Sequence, residues 1–405
     1  MIITFITNNF MESLEKKAVS KTVTATILSM SLLTVMAGAA IAPALGIIRE
    51  HFAQASQMLI QLIVSIPALL IILTNLLFLP ISRRWRTRTI ALVGLTLYVV
   101  AGAGCFLVDD IHVLLGLRAL LGVSVGLIMP LSTGLLAYYF PPEEQARLMG
   151  LSAAMNQLGG VVATLLAGVL ATIEWRYAFL VYLLGLITMV MVWLYLPDAE
   201  LRSENKRGKA FEPRQLLKFH PSVIGMLLLM MIFFVFPTNF AITARSEGLS
   251  VGSITFIMVG LDMVAFIVGL VFGGLMRTFR QPIKYFAPLL FLLGYACYVA
   301  GGVLWLIVGS CLIGIANGVG VPYLNTIASI KGGRNSATTV MPLLSAALYL
   351  GQFVSPIVVS PLGRWLFGAS DVTAPYKVAV LLCLLFFAQV WLTRHYQSLP
   401  PRESR

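Results

Sequence analysis

The sequence predicts an all-α membrane protein whose twelve transmembrane helices form two pseudo-symmetric six-helix bundles. Residues of the AVILMFWYC set fill 59% of the 405 positions and charged residues only 11%, against roughly 25% charge in a soluble domain. The apolar residues come in continuous blocks. Each is long enough for the ~20 residues that a helix needs to cross about 30 Å of hydrocarbon with its backbone paired internally. A membrane β-barrel would instead alternate over ten-residue segments. The third observation is a pattern of glycine and proline that recurs at a fixed offset.

Taken in order, span one covers 24–48, after Lys16, Lys17 and Lys21, and span two covers 57–82, up to Arg83, Arg84, Arg86 and Arg88. Spans three (89–108), four (111–139), five (148–172) and six (177–196) follow. A polar stretch then precedes span seven (222–243). Spans eight (252–276), nine (284–300), ten (303–328), eleven (337–362) and twelve (376–393) complete the set. Charged and turn-forming residues punctuate the blocks. The chain thus divides into an N-terminal segment (1–23), a six-helix bundle (24–196), a linker (197–221), a second bundle (222–393) and a tail (394–405).

With the N-terminus placed in the cytoplasm, 22 Lys and Arg fall on cytoplasmic segments, five on the opposite loops, and Arg118 alone inside a span. Cytoplasmic loops carry the excess of basic residues, so both termini are expected in the cytoplasm and the protein in the cell (inner) membrane. The net charge of +12 is parcelled into these short clusters, which points to membrane orientation and not to nucleic acid. The basic linker reads as a solvated connector, with contact to anionic lipid as its alternative. Glu12, Glu15, Lys16 and Lys17 follow the apolar start, the reverse of a signal peptide. Cys105, Cys297, Cys311 and Cys383 lie inside apolar blocks without CxxC spacing and read as free thiols.

Gly122, Gly126 and Pro130 in span four match Gly314, Gly318 and Pro322 in span ten at an offset of 192, and Gly159 matches Gly351 at the same offset. Arg83-Arg84-Trp85-Arg86 is echoed by Arg277-Thr278-Phe279-Arg280 at 194. Glycines four apart are packing seams. Their recurrence at one offset implies two copies of a six-helix unit, the parallel repeat on which many transporters build alternating access around a midplane site.

The segment LLGLRALLGVSVGLIMPLSTGLLAYYFPPEEQARLMG (114–150) resembles the fourth-helix motif of the major facilitator superfamily, with Arg118, Gly122 and Gly126 in place. AGAAIAPALGIIREHF (37–52) is similar to the end of that family's first helix. The resemblance runs from about Thr24 to Leu392 and implies the major facilitator fold, transport, and cytoplasmic gate loops at Arg83, Arg84, Arg86, Arg277 and Arg280. The family's loop motif, Gly-x3-Asp-Arg-x-Gly-x-basic-basic, is altered here: Leu79, Arg83 and Arg86 replace its first Gly, Asp and second Gly, and the second copy keeps Gly273 but has Arg277 for the Asp. The exporter motif of helix five keeps Gly150, Gly159 and small residues but lacks its Pro. The branch it resembles is that of drug and metabolite exporters.

No G-x4-G-K-[ST] phosphate loop occurs. His51, His112, His220 and His395 sit at span ends or in loops, so neither a metal nor a cofactor is expected, and no catalytic group stands out for an enzyme. Ionisable groups inside the hydrocarbon are costly and mark function. Arg118 is one, a proton-coupling candidate if its charge perturbs a nearby carboxylic acid, a substrate contact if it binds an anionic group, or a structural residue bonded to carbonyls of neighbouring helices. Asp262, roughly 15 Å along span eight at 1.5 Å per residue, is the candidate proton-coupling acid, with a structural aspartate at the seam between halves as its alternative. Because spans one, four, seven and ten line the family's cavity, the substrate-cavity candidates are Met30, Met36, Arg118, Met129, Asn156, Phe233, Phe236, Asn239, Asn317, Tyr323 and Asn325. The expected function is proton-coupled efflux of a small organic compound by a monomer in the bilayer. The alternative is import or facilitated passage of a nutrient such as a sugar or organic acid.

Overall fold

A computed structural model describes residues 21–140, 142–198, 213–332, 336–368 and 371–396. Every regular element among them is helical. Twelve helical segments are long and apolar enough to cross a membrane: Lys21–His51, Gln57–Phe78, Thr87–Leu107, Ile111–Leu136, Gly150–Ala171, Trp175–Tyr195, Phe219–Ser246, Val251–Phe279, Pro282–Ala300, Val303–Lys331, Val340–Phe367 and Ala374–Leu392. They keep the ordinals one to twelve below. An even number of crossings puts Lys21 and Tyr396 on one face, called here the terminal face.

Prolines shape two of the spans that matter most. Span one is a helix over Lys21–Ala39, a 3-10 turn over Ala42–Ala44 built around Pro43, and a second helix over Leu45–His51. Span seven is likewise split into Pro213–Phe233 and Val235–Ser246, with Pro237 in its second part. Proline has no N–H to give to the carbonyl four residues earlier. Residues 213–221, read as linker from their polarity, begin the helix Pro213–Phe233, which enters span seven at Phe219. On the face opposite the termini, side chains cap three helices: Ser56 accepts from the Leu59 N–H, Asp110 from His112 and Val113, and Ser250 from Ser253.

Within the first half, span two packs on four, one on five and three on four; within the second, eight packs on ten, seven on eleven and nine on ten. The glycine repeat explains the match. A Cβ on Gly122 or Gly126 would collide with Pro67 or Thr74 of span two, and on Gly314 or Gly318 with the carbonyls of Leu261 or Ala265 of span eight. Gly159 and Gly351 meet the carbonyls of Leu32 and Leu227 in the same way. The two six-helix bundles are therefore packed by equivalent contacts, as the 192-residue offset requires.

A second set of equivalences was not read from the sequence. Tyr98 donates to the Leu33 carbonyl at 3.2 Å and Tyr295 to the Ile232 carbonyl at 2.6 Å. Tyr182 stands beside Tyr98, as Tyr376 stands beside Tyr295, with ring centroids 5.5 and 6.1 Å apart. These pairs tie spans three and six to one, and nine and twelve to seven. The four cysteines are free. The two halves meet along spans two and eleven, along five and eight, and where the outer part of span one crosses Val235–Ser246.

Candidate functional site

Between the halves lies a cavity of about 650 Å³, walled by spans one, two, four and five on one side and seven, eight, ten and eleven on the other. On span five its wall runs from Gly150, next to the terminal face, to Thr164 near mid-span, and on span eight from Leu270 back to Met258. The cavity thus reaches toward the terminal face and stops short of the opposite one. Met129, Met230, Met258, Phe233, Phe236 and Phe266 make much of the wall apolar and polarisable, a surface that adapts to varied apolar ligands.

Contacts between the halves close the other face. The Gly46 backbone lies so near Ala241 that a Cβ would come within 2.6 Å of its carbonyl oxygen. Arg245 Nε reaches Glu50 Oε1 at 2.7 Å. Deeper in, Gln61 Nε2 donates to Asn239 Oδ1 at 2.6 Å, Gln57 Nε2 donates to the same oxygen at 3.4 Å, and Ser360 Oγ donates to Gln61 Oε1. Asn239 in turn donates to the Val235 carbonyl at 2.9 Å. Gln61 and Asn239 are 0% and 2% exposed. Buried amides need partners, and both partners of Gln61, like the donors to the Asn239 oxygen, come from the opposite half. The first half's loops on this face carry a further network in which Arg176 and His51 bond Asp109 at 2.6 and 2.8 Å. Those bonds, Arg176's the stronger, hold the Asp109 carboxyl below the usual carboxylate range.

Among the described residues, Asp262 is the one carboxylate on the cavity wall, which holds no Lys, Arg or His; Tyr349 adds a phenol. Thr164 Oγ1, from the other half, donates to Asp262 Oδ2 at 3.3 Å. One turn further along span five, Gly168 lies against Thr255 without room for a Cβ. Tyr349 Oη meets Met129 Sδ at 3.0 Å, a second contact across the cavity.

Arg118 is fully buried in the first half, away from the cavity wall. Its Nε donates to the Ile63 carbonyl at 2.7 Å, Nη2 to the Ala37 carbonyl at 2.7 Å, and Nη1 to the Tyr182 hydroxyl at 2.6 Å. Tyr182 also donates to Ala37 at 3.0 Å. The reason lies in the helices it serves. Pro67 stands four residues after Ile63 and has no N–H to offer it, and span one breaks two residues after Ala37. The guanidinium supplies the missing donors to both helices.

A family model described as the Major Facilitator Superfamily matches residues 27–356. The chain belongs to that superfamily. Among curated relatives, Quinolone resistance protein NorA of Staphylococcus aureus is 26% identical over 311 residues, 67% of this chain and 76% of that protein. A protein described as the uncharacterized MFS-type transporter EfpA of Mycobacterium tuberculosis is 28% identical over 200 residues, 49% of this chain and 34% of that one. In fold, the chain is similar to the inward-facing, unoccupied structure of a bacterial homolog to the human lysosomal transporter Spinster, with a TM-score of 0.74 at 16% identity, covering 94% of this chain and 98% of that one. The family and fold are those of multi-pass membrane transporters.

On this major facilitator scaffold, Asp262, Met129, Asn156, Phe233, Phe236, Asn317 and Asn325 come together on the cavity wall. Five other candidates do not. Met30 and Met36 are 0% exposed inside the first bundle, Tyr323 is 4% exposed, Arg118 serves the two broken helices, and Asn239 is part of the closed face. Membership of a cavity-lining span does not determine which side of the helix a residue occupies. Of the gate-loop residues, Arg86 pairs with Asp198 of its own half at 3.0 Å, and Arg84, Arg277 and Arg280 are exposed; the side chain of Arg83 lies outside the described set. Thr34, Thr164 and Tyr349 line the cavity without having been proposed for it. Thr34 donates to Asn156 Oδ1 at 2.8 Å, and a polar residue facing a polar residue across spans one and five was the available signal.

Proposed function

We propose that this transporter exports a small organic compound in exchange for protons, by alternating access, with Asp262 as the coupling acid. The observation that carries the reading is that, among the described residues, a single carboxylate stands on the wall of an otherwise uncharged cavity, at the seam between halves. A carboxyl group there can take a proton when one face is open and release it when the other is. The membrane is the cell's inner one, with both termini cytoplasmic, in keeping with the 22-to-5 split of basic residues. The conformation described is then open to the cytoplasm. Support for efflux comes from the resistance protein among its relatives. The protein works as a monomer, each chain carrying its own cavity.

The test uses everted membrane vesicles acidified inside and offered a quinolone. Accumulation that collapses when the pH gradient is removed, and that is lost in Asp262→Asn, is the expected result. Accumulation in the mutant equal to that of the wild type would overturn the role of Asp262. Uptake that requires the opposite gradient would make the protein an importer.

A further inference from the structure

We propose that Thr164 is a positioning residue for Asp262: a hydroxyl carried by one half that holds the carboxylate of the other half in its charged form while the cavity is open to the terminal face. The proposal rests on Asp262 as the coupling acid and adds the group that ties its proton to the movement of the halves.

The pair sits at the point where the seam of spans five and eight changes character. On one side of it, toward the face opposite the termini, Gly168 lies against Thr255 without room for a Cβ. On the other side the two helices have parted to form cavity walls, with Asn156, Gln157 and Gly160 on span five and Phe266 and Gly269 on span eight. A Cβ on Gly269 would meet nothing within 4 Å. The hydrogen bond from Thr164 to Asp262, at 3.3 Å, closes the apex. Thr164 is itself only 2% exposed.

Among the described residues, Thr164 supplies the one hydrogen bond to the Asp262 carboxylate. The elements packed against span eight are spans five and ten, the bend of span one, the outer part of span seven and the turn Pro282–Tyr285. Among the described side chains, the first four bring no ionisable group to the cavity wall; the turn carries Lys284 and Tyr285 at the far end of span eight, and Tyr349 of span eleven faces the same cavity. Thr255, two turns from Asp262 on its own helix, spends its hydroxyl on the Val251 carbonyl at 2.8 Å.

A donor on a carboxylate favours the charged form. Because the donor and the acceptor belong to different halves, opening the opposite face separates them and removes that preference. Proton uptake onto the Asp262 carboxylate is then favoured in the state open to the opposite face, and return of the hydroxyl favours release of the proton to the terminal face. That order is the one an exchanger needs.

The test reads the proton directly. Infrared difference spectra of the purified protein, taken across pH, report the protonated carboxyl stretch, and Asp262→Asn assigns the band. Wild type, Thr164→Val, Thr164→Ala and Thr164→Ser are compared in the same lipid. The expected result is that the Asp262 band persists to higher pH by about one unit in the Val and Ala variants, a tenfold change worth about 1.4 kcal/mol, and that Ser restores the wild-type midpoint. The Ala variant covers the case in which Val disturbs the seam. A band that is present, lost in Asp262→Asn and unmoved by Val or Ala would overturn the role of Thr164 and leave Asp262 as the acid. If no titrating band is lost in Asp262→Asn, both roles are overturned.

Discussion

A buried arginine without a carboxylate partner is an expensive side chain, and in this protein the cost is offset by what Arg118 does for backbone that proline has left unpaired. Its three donors end on the carbonyls of Ile63 and Ala37 and on the Tyr182 hydroxyl. A lysine presents a point charge and cannot span three acceptors in a fixed fork. Arg118→Lys and Arg118→Leu are therefore expected to destabilise the first half, with each unpaired carbonyl costing about 1–3 kcal/mol. Thermal unfolding in detergent checks this, and both variants should unfold several degrees below the wild type. A variant that keeps its unfolding midpoint yet loses ligand affinity would return Arg118 to the role of a substrate contact. Asp262 differs in kind, since it faces open volume and its only described donor belongs to the other half.

At the level of elements, the deeper part of the closed face is held by amides, beneath the Glu50–Arg245 pair. Gln61 of span two, Asn239 of span seven and Ser360 of span eleven share one buried set of hydrogen bonds, and a net hydrogen bond is worth roughly 1 kcal/mol. Replacing Gln61 by Leu removes two of them, so the ratio of states should move about thirtyfold toward opening that face. Spin labels at the exposed positions Ala53 and Glu247, one on each half, should show a longer-distance population in Gln61→Leu. Superimposable distance distributions in mutant and wild type would sink the idea. This part of the molecule also marks where sequence reading reaches its end. The spans were legible because a helix in lipid must be apolar along its whole length, and the repeat was legible because Gly122 and Gly314 must both admit a neighbouring backbone. Asn239 was legible as a polar residue on span seven, but the break at Phe233 and Val235 turns it toward Gln61 and out of the cavity. Met30 and Met36 were misplaced for a related reason: a span hydrophobic all round carries no amphipathic signal to say which side faces the cavity.

For the whole molecule, the proposed alternating access makes the two bundles the moving parts, with the contacts between them setting which face is open. Near the surface of the closed face, Glu50 of the first half and Arg245 of the second are joined at 2.7 Å, beside the close approach of Gly46 to Ala241. If the halves must part there once in every transport cycle, a covalent tie between these positions stops the cycle without disturbing the cavity. Glu50→Cys with Arg245→Cys, in a protein whose four native cysteines are replaced by serine or alanine, should lose transport when bridged by a short bifunctional thiol reagent and regain it on reduction. Each single cysteine variant should be indifferent to the reagent. Ligand should still bind the bridged protein from the terminal face, because the cavity extends toward that face in the closed-seam arrangement. Transport that continues at the wild-type rate in fully bridged protein would mean that the halves do not separate at this seam, and that substrate leaves the cavity by another route. Loss of both transport and binding would place the effect in the cavity itself.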